Sequence, residues 1–202
     1  MDFPHDDGVG GKWTLAKRLV VSLAATAHHS ADPVGLSVAT GDGARRLEPR
    51  TRRGVLAEIA RTLDDVHCAG SAPLAPLVAG SALRCVVVTD CLGDIDALRA
   101  ALGRHRARGG EAHVLHVVSR AELDPPRSPS MATDPEDPTC QRPLVEDTRD
   151  AYLENFAVFR AEVARQMRAD RVSYHEVQDD AAPEMLVRRI VMSGFENTGE
   201  RR

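Results

Sequence analysis

Aromatic residues are scarce in this chain, at 3% of its 202 residues. Proteins that bind single-stranded nucleic acid stack bases on aromatic side chains, so the scarcity argues against that function. A global excess of basic residues is also absent, because the formal net charge is −4. Clusters of arginine occur, but acidic residues balance them, and no broad positive field is expected for a phosphate backbone. We therefore expect no nucleic-acid partner.

Long apolar segments and closely paired cysteines are missing too. The longest apolar run, residues 19–27, is far too short to span a bilayer. The opening residues MDFPHDDGVGGK contain no basic segment of the kind that begins a secretory signal. The four cysteines form no C-x-x-C pair, and reduced thiols are the default in the cytoplasm. We expect a cytoplasmic protein without a membrane span.

Apolar residues at helical spacing predict several helices along the chain. The first is apolar nearly all round from Leu19 onward and should be largely buried. A later one carries a stripe of Tyr152, Phe156, Phe159, Val163 and Met167. The expected helices are Lys12 to His29, a helix capped by Thr51 that continues to Val66, one that begins at Gly93 or Asp94 and stops at Gly109–Gly110, one capped by Asp147, and Pro183 to Met192.

Runs of β-branched residues predict the strands. A hairpin is expected around Gly41–Asp42–Gly43, and the CVVV run at 85–88 reads as a strand buried on both faces. Further strands are expected at 34–39, 111–118 and 172–177. Strand–helix–strand units with short connections are typical of right-handed crossovers in a parallel sheet. We predict one doubly wound α/β domain over residues 1–194, with an irregular excursion at 120–146 and a disordered tail at 195–202.

Asp90 is the first candidate for chemistry, because it ends the CVVVT strand in the stretch RCVVVTDCLGD. Ligands collect at the carboxyl ends of strands in open α/β sheets. In one interpretation Asp90 binds a divalent cation, which needs several oxygen ligands from neighbouring loops. In the other it caps a turn or the next helix, and for an isolated aspartate this second interpretation is favoured. Ser71 and Asp94 are the nearest companions in the expected fold.

Other motifs give weaker signals. His113 and His116 have odd spacing on one strand, so they face opposite sides of the sheet and share no metal. A zinc site built from His67 and Cys68 with Cys85 or Cys91 has no supporting spacing. No G-x-S-x-G, P-loop or G-x-G-x-x-G motif is present.

Taken in order, several segments resemble a known prokaryotic family. They are GGKW with its helix, DPVGLSV, RRGVLAEI, CVVVTDCLGD, GGEAHVLHVVSRAELDPP, and a long helix before VSYHEV. Together they resemble the family catalogued as domain of unknown function 58, whose core is a von Willebrand factor A-like domain. The resemblance covers nearly the whole chain, and its most specific part is residues 109–126. It implies a central parallel sheet between helices.

The resemblance also implies a metal-ion-dependent adhesion site at the carboxyl edge of the sheet. Such a site takes an Asp-x-Ser-x-Ser motif after the first strand, a threonine from a second loop and an aspartate from a third. Asp90 matches the third-loop aspartate. Ala72 aligns with the threonine, and Ser71 replaces it only if the loop shifts by one residue.

The first-loop motif and the strand before it have no counterpart, because Met1–Asp2–Phe3 resembles the residues that directly follow that motif. The resemblance then implies a relic metal site of Asp90 and Ser71, with weak or no binding of Mg²⁺. It also implies unpaired edges on the strands at 34–39 and 85–89. Either those strands pair directly, or another chain supplies a strand, or the reading frame is truncated or degenerate, which we favour.

These considerations predict a non-enzymatic interaction domain without a cofactor. Its contact surface is expected around Ser71, Asp90 and Asp94. Because members of the resembled family are often linked with MoxR-type AAA+ ATPases, such an ATPase is the partner that the resemblance implies. The alternative is a small hydrolase or transferase with Asp90 as general base, for which the sequence offers no convincing partner residue. A third hypothesis is a defective paralogue without activity.

Limited proteolysis tests the expected weak point of the domain. The first cleavage should fall within residues 124–143, where proline and serine are frequent and periodicity is lowest. Mass spectrometry of the earliest fragments locates the cut. Early cleavage inside an expected core element, with 124–143 intact, would contradict the assignment.

Overall fold

A computed structural model of the chain describes residues 11–41, 43–66, 72–78, 80, 82–125, 130–133, 141–144, 146–178, 185, 187–188 and 190. Strands and helices alternate along these residues, as expected for an α/β fold. The elements are α1 (Lys12–His29), β1 (Val34–Thr40), β2 (Gly43–Arg50), α2 (Val55–Asp64), a 3-10 turn (Ala75–Val78), β3 (Arg84–Thr89), α3 (Ile95–Ala107), β4 (Glu111–Val118), α4 (Arg120–Leu123), β5 (Ser130–Thr133), β6 (Gln141–Leu144), α5 (Glu146–Ala169) and β7 (Ser173–Gln178). Met185, Val187, Arg188 and Ile190 are also helical.

The main sheet has three parallel strands in the order β3–β4–β7. Helix α1 packs on one face through Leu15 and Leu19, which contact Leu115 and Val117 of β4. Helices α3 and α5 pack on the other face, where Leu102 and Met167 contribute to a second core. The prediction of a parallel sheet between helices is confirmed at this level. No helix among the described residues is long and apolar enough to cross a membrane.

Burial differs sharply between neighbouring strands of this sheet. In β4 every residue after Glu111 is buried, because β4 has a strand on each side and helices on both faces. In β3, residues 85–88 are only half-buried. The prediction that CVVV is buried on both faces was therefore wrong. The physical reason is position: among the described residues β3 pairs with β4 alone and lies at the edge of the sheet.

Strands β1 and β2 form a separate antiparallel sheet of two strands. Their antiparallel pairing, in which Thr40 lies opposite Gly43, confirms the expected hairpin, and Gly43 has a φ of 140°, a value that favours glycine. Within the described residues no backbone ladder joins β1 to β3. The described residues therefore form a three-stranded sheet, a separate hairpin of β1 and β2, and a further antiparallel pair of β5 and β6.

Helix α1 packs against both the main sheet and the hairpin of β1 and β2. It contacts β3 and β4 of the main sheet and also β1 and α2. Leu15 and Leu19 face the main sheet, whereas Ala24 packs against the hairpin side with Val34 and Val38. Because two sides of the helix contact apolar neighbours, its sequence is apolar nearly all round. Much of its second half is nevertheless only half-buried, so the expectation of a largely buried helix was too strong.

Two expected helix caps are corrected by the structure. Helix α2 begins at Val55 and not after Thr51, because Gly54 has a φ of 89° and the Val55 N–H donates to the Arg52 carbonyl in a turn. Helix α5 begins at Glu146, so Asp147 lies inside it.

The expected apolar stripe of α5 is buried along only part of its length. Val163 and Met167 are buried, whereas the aromatic residues of the first half are only half-buried.

The two histidines of β4 face opposite sides of the sheet, as their spacing predicts. His113 is on the α1 side, where its ring stacks on His175 of β7 with centroids 6.1 Å apart. Burial is the main reason that the pKa of His113 is lowered to about 4, and the nearby His175 and Arg84 lower it further. The folded chain therefore keeps His113 neutral at pH values where the unfolded chain is protonated.

Acid should destabilise the fold through His113. The pKa of His113 in the folded chain lies below the unfolded value of about 6.5. Its contribution to the free energy of unfolding is therefore fully present above pH 6.5 and is lost as the pH falls towards 4. Between pH 7.5 and pH 5 we expect His113 to account for a loss of about 2 kcal/mol of unfolding free energy. When unfolding by urea is measured at both pH values, His113→Leu should lose about 2 kcal/mol less unfolding free energy on acidification than the wild type does.

The matched control is Val117→Ala, on the same face of β4 and fully buried. It removes apolar contacts but no titrating group, so it should lower stability equally at both pH values. A His113→Leu chain that loses as much stability on acidification as the wild type would contradict this account.

Candidate functional site

Asp90 lies directly after β3, at the carboxyl edge of the main sheet, as predicted. Its Oδ1 accepts a hydrogen bond from the Leu92 N–H at 3.3 Å, and the Thr89 hydroxyl accepts one from the Cys91 N–H at 3.1 Å. Cys91 has a φ of 58°, an unusual value for a residue that is not glycine. The turn after β3 is therefore tightly specified, and one oxygen of Asp90 contributes to it.

Asp94 and Ser71 were the expected companions of Asp90. Asp94 is the N-cap of α3, and its Oδ1 accepts the Ala97 N–H at 2.9 Å. That bond satisfies one of the open backbone donors at the helix start. Ser71, His67 and Cys68 lie outside the described residues. The structure thus gives Asp94 a structural role and leaves the predictions for Ser71 and for a site with His67 and Cys68 as predictions.

Two charged residues that the sequence interpretation did not single out lie at the same edge. Lys12, the first residue of α1, is 1% exposed, and Glu122 of α4 is 5% exposed. The Lys12 Nζ lies 2.7 Å from Glu122 Oε1. Ser119 and Glu122 form a capping box, a spacing that is recognisable in the sequence. No pattern in the sequence predicts that Glu122 pairs with Lys12, which is 110 positions away.

His116 and Tyr174 form a second polar contact at this edge, on the face of α3 and α5. The His116 Nδ1 lies 2.6 Å from the Tyr174 hydroxyl. Burial is the main reason that the pKa of His116 is lowered to about 4, although the negative charges of Glu176 and Asp90 raise it. Burial likewise raises the pKa of Tyr174. At neutral pH the imidazole is therefore neutral and the tyrosine hydroxyl is protonated, and the two groups share one hydrogen bond between Nδ1 and the hydroxyl.

The charge on Asp90 is set by opposing influences. Burial acts to raise the pKa of its carboxyl, whereas positive charges, of which the Lys12 ammonium is one, and the Leu92 N–H act to lower it, and the net shift is downward. Burial also raises the pKa of the neighbouring Cys91 thiol to about 12, and the charge of Asp90 adds to that effect. The edge thus holds an ionised aspartate and a protonated, unreactive thiol at neutral pH.

Aromatic side chains concentrate beside this polar edge, although they are scarce in the chain. The rings of Tyr152 and Phe156 stack with centroids 5.7 Å apart, and Phe156 stacks on Phe159 at 6.3 Å. Phe159 meets the His116 ring edge to face at 6.2 Å. The half-buried first half of α5 therefore places an aromatic row next to the candidate site.

The described residues near Asp90 supply few of the ligands that the divalent cation implied by the family resemblance would need. Ala72 has no side-chain oxygen at the second-loop position, and the positive charge of Lys12 acts on Asp90. Within the described ranges, no three His, Cys, Asp or Glu side chains are grouped closely enough to hold a metal ion. A hard dication needs six or more oxygen ligands, and an adjacent ammonium repels it.

A shallow groove of about 380 Å³ lies elsewhere, along α3, and is lined by Asp96, Arg99, Ala100, Gly103 and Asp170. Arg99 contacts Asp170 at 2.7 Å and Asp96 at 3.2 Å. Because two carboxylates already contact the guanidinium of Arg99, this guanidinium is not free to bind an anionic ligand, and we do not assign the groove a function.

Comparison with known proteins does not assign the chain to a family: no family model, curated protein or solved structure matches it.

Proposed function

We propose that the chain is a von Willebrand factor A-like interaction domain that performs no chemistry and binds a partner protein, with a MoxR-type AAA+ ATPase as the expected partner. The proposed contact surface combines the outer edge of β3 with the loops after it, which carry Asp90 and Asp94. The outer edge of β3 is the side that faces away from β4. Family and partner rest on the sequence resemblance, whereas the contact surface rests on the geometry of β3.

The observation that carries the proposal is the outer edge of β3. Among the described residues, Arg84–Thr89 has a ladder partner only on the β4 side. Its three consecutive valines are half-buried, and β-branched residues favour pairing with another strand. An edge of this kind is a template for an added strand, and proteins that keep one normally protect it with charge, proline or a covering element. Strand addition is an established mode of peptide recognition.

The surroundings of this edge favour one added strand. Helix α1 contacts both β3 and β1 on one side, and the 3-10 turn contacts β1 and α3 on the other. The guanidinium of Arg46 in β2 donates to the Pro76 carbonyl of that turn at 2.6 Å. The hairpin is thus held beside the main sheet without pairing to β3. We propose that an extended, apolar segment of the partner binds along the outer edge of β3.

The polar groups near Asp90 support an interaction role over catalysis. A general base works best with a pKa near the operating pH, and the pKa of Asp90 is instead lowered. The lowered pKa of His116 and its hydrogen bond to Tyr174 indicate a structural imidazole. Cys91, with its pKa of about 12, is a poor nucleophile. Leu92, by contrast, is 47% exposed beside Asp90, which suits a contact surface.

A pair of proline variants tests the strand-addition site. Successive N–H groups of a strand point to opposite edges, so of Val86→Pro and Val87→Pro one removes an N–H directed at β4 and the other an N–H directed outward. Proline is tolerated where the N–H faces away from the ladder. The variant that keeps near-native unfolding stability should therefore lose binding to the purified MoxR-type ATPase of the source organism, measured by calorimetry. Wild-type affinity in that variant would contradict the proposed edge.

Photo-crosslinking gives a readout that does not depend on proline being tolerated. Benzoylphenylalanine at Leu83, which precedes β3 and is 83% exposed, should crosslink to the ATPase. The control position is Val158 on α5, which is 63% exposed and lies away from the proposed edge. Crosslinking at position 158 but not at 83 would place the partner elsewhere. The absence of crosslinks at both positions, together with no measurable binding, would contradict the ATPase as partner.

A further inference from the structure

Arginine side chains concentrate at one corner of the fold, where β2 leads into α2. Residues 43–60 contain five arginines and two glutamates, whereas the whole chain has a formal net charge of −4. All five arginines are exposed; three belong to β2 and two to the turn before α2, and they are Arg45, Arg46, Arg50, Arg52 and Arg53. This corner is therefore a local positive patch on an acidic protein.

The pairing register places two of these arginines on the side of the hairpin that faces α2. Arg45 lies opposite Val38, and Arg50 lies opposite Val34. Residues directly opposite each other in an antiparallel pair point to the same face. Both valines belong to one buried cluster with the apolar residues of α2. Arg45 and Arg50 therefore emerge at the seam between β2 and α2.

Glu58 of α2 is shared by two guanidinium groups at this seam. Its Oε2 accepts a hydrogen bond from Arg52 Nη2 at 2.6 Å, and its Oε1 lies 4.0 Å from Arg50 Nη1. All three side chains remain partly exposed to solvent. Because a guanidinium has five N–H donors, one shared carboxylate does not saturate the pair. The structure thus shows how a carboxylate binds at this corner and leaves room for another.

The remaining arginines have no carboxylate of their own. Within the part of the chain that the structure describes, Arg45 and Arg53 make no ion pair, and Arg46 donates to the Pro76 carbonyl instead. The like charges repel one another, and the adjacent start of α2 carries a positive partial charge as well. This excess of positive charge costs the free chain some stability, and an anionic partner would relieve it.

We infer that Arg45, Arg50, Arg52 and Arg53, the arginine surface, bind an acidic segment of a partner protein. Carboxylates of that segment pair with Arg45 and Arg53 and compete with Glu58 for the other two guanidinium groups. In the free chain Glu58 occupies part of the surface. The inference goes beyond the proposed binding at β3 and does not depend on that partner.

The composition of the corner favours a polypeptide over a membrane or a nucleic acid. A bilayer surface needs apolar anchors beside the basic residues, and the exposed large apolar side chains of the described residues all lie outside 43–60. Single-stranded nucleic acid needs aromatic stacking platforms, and residues 34–66 contain no aromatic residue. A duplex is disfavoured by the net negative charge of the chain.

Fluorescence anisotropy with a fluorescein-labelled oligoglutamate peptide tests the inference on the full chain. Wild-type protein should bind this peptide with an affinity that falls as NaCl is raised, and should not bind oligoglutamine of the same length. Arg45→Gln with Arg53→Gln should bind oligoglutamate about tenfold more weakly. Because both side chains are exposed and make no ion pair among the described residues, this double variant should keep wild-type stability in urea.

The matched control is Arg104→Gln with Arg108→Gln. It removes the same charge from two exposed arginines at the end of α3, outside the arginine surface. Its affinity for oligoglutamate should equal that of the wild type. An equal loss of affinity in this control and in the first double variant would overturn the inference, because net charge alone would then explain the binding.

Removal of the internal carboxylate should act in the opposite direction. Glu58→Gln frees Arg50 and Arg52, so it should bind oligoglutamate about threefold more tightly than the wild type. Unchanged affinity in folded Glu58→Gln, or no binding of oligoglutamate by the wild type, would overturn the inference. So would tighter binding of a DNA duplex or of phosphatidylserine vesicles that the first double variant loses, because the surface would then recognise phosphate.

Discussion

Helix α1 joins the three-stranded sheet to the hairpin of β1 and β2, and the position of that helix depends on a buried ion pair. Helix α1 contacts the hairpin of β1 and β2 on one side and the parallel sheet on the other, although no ladder connects the two among the described residues. Its first turn is fixed by the Lys12–Glu122 contact. Removing one partner of such a pair is costly because the other charge remains buried. The relative placement of β1 and β3 therefore depends on a contact at one end of α1.

The polar groups at the carboxyl edge have pKa values shifted by burial and by neighbouring charges. Positive charges, of which the Lys12 ammonium is one, lower the pKa of Asp90 and favour its ionised form, and the burial of His116 keeps its imidazole neutral. Neither group has the tuned pKa of a general base at neutral pH. The polar residues of the edge act on one another and on the turn after β3. Beside these groups the edge exposes an apolar side chain, Leu92.

Much of the fold was predictable from the sequence, because periodicity and turn residues act locally. The bounds of α1, the hairpin around Gly43, the cap at Asp94 and the opposite orientation of His113 and His116 were all confirmed. Thr51 was misassigned because Gly54 adopts a left-handed conformation that starts α2 later.

Features that depend on long-range pairing were not predictable in this way. The half-exposure of β3 follows from which strands pair, and CVVV alone does not reveal that. For the candidate site, the sequence located Asp90 at the end of a strand, but it gave no reason to bury Lys12. Lysine is normally exposed, and the partner of Lys12 is distant along the chain. Only the Ser119–Glu122 spacing gave a local sign of ordered polar groups near that edge.

The central claim is that the outer edge of β3 accepts an added strand. Amide hydrogen exchange along β3 tests it most directly. In the purified chain, alternate amides of Arg84–Thr89 should exchange rapidly, because they point away from β4, and the others should be protected. Addition of the MoxR-type ATPase should protect the rapid set as well. Uniform protection of all these amides in the purified chain would mean that β3 already has a second partner strand, and would contradict the account.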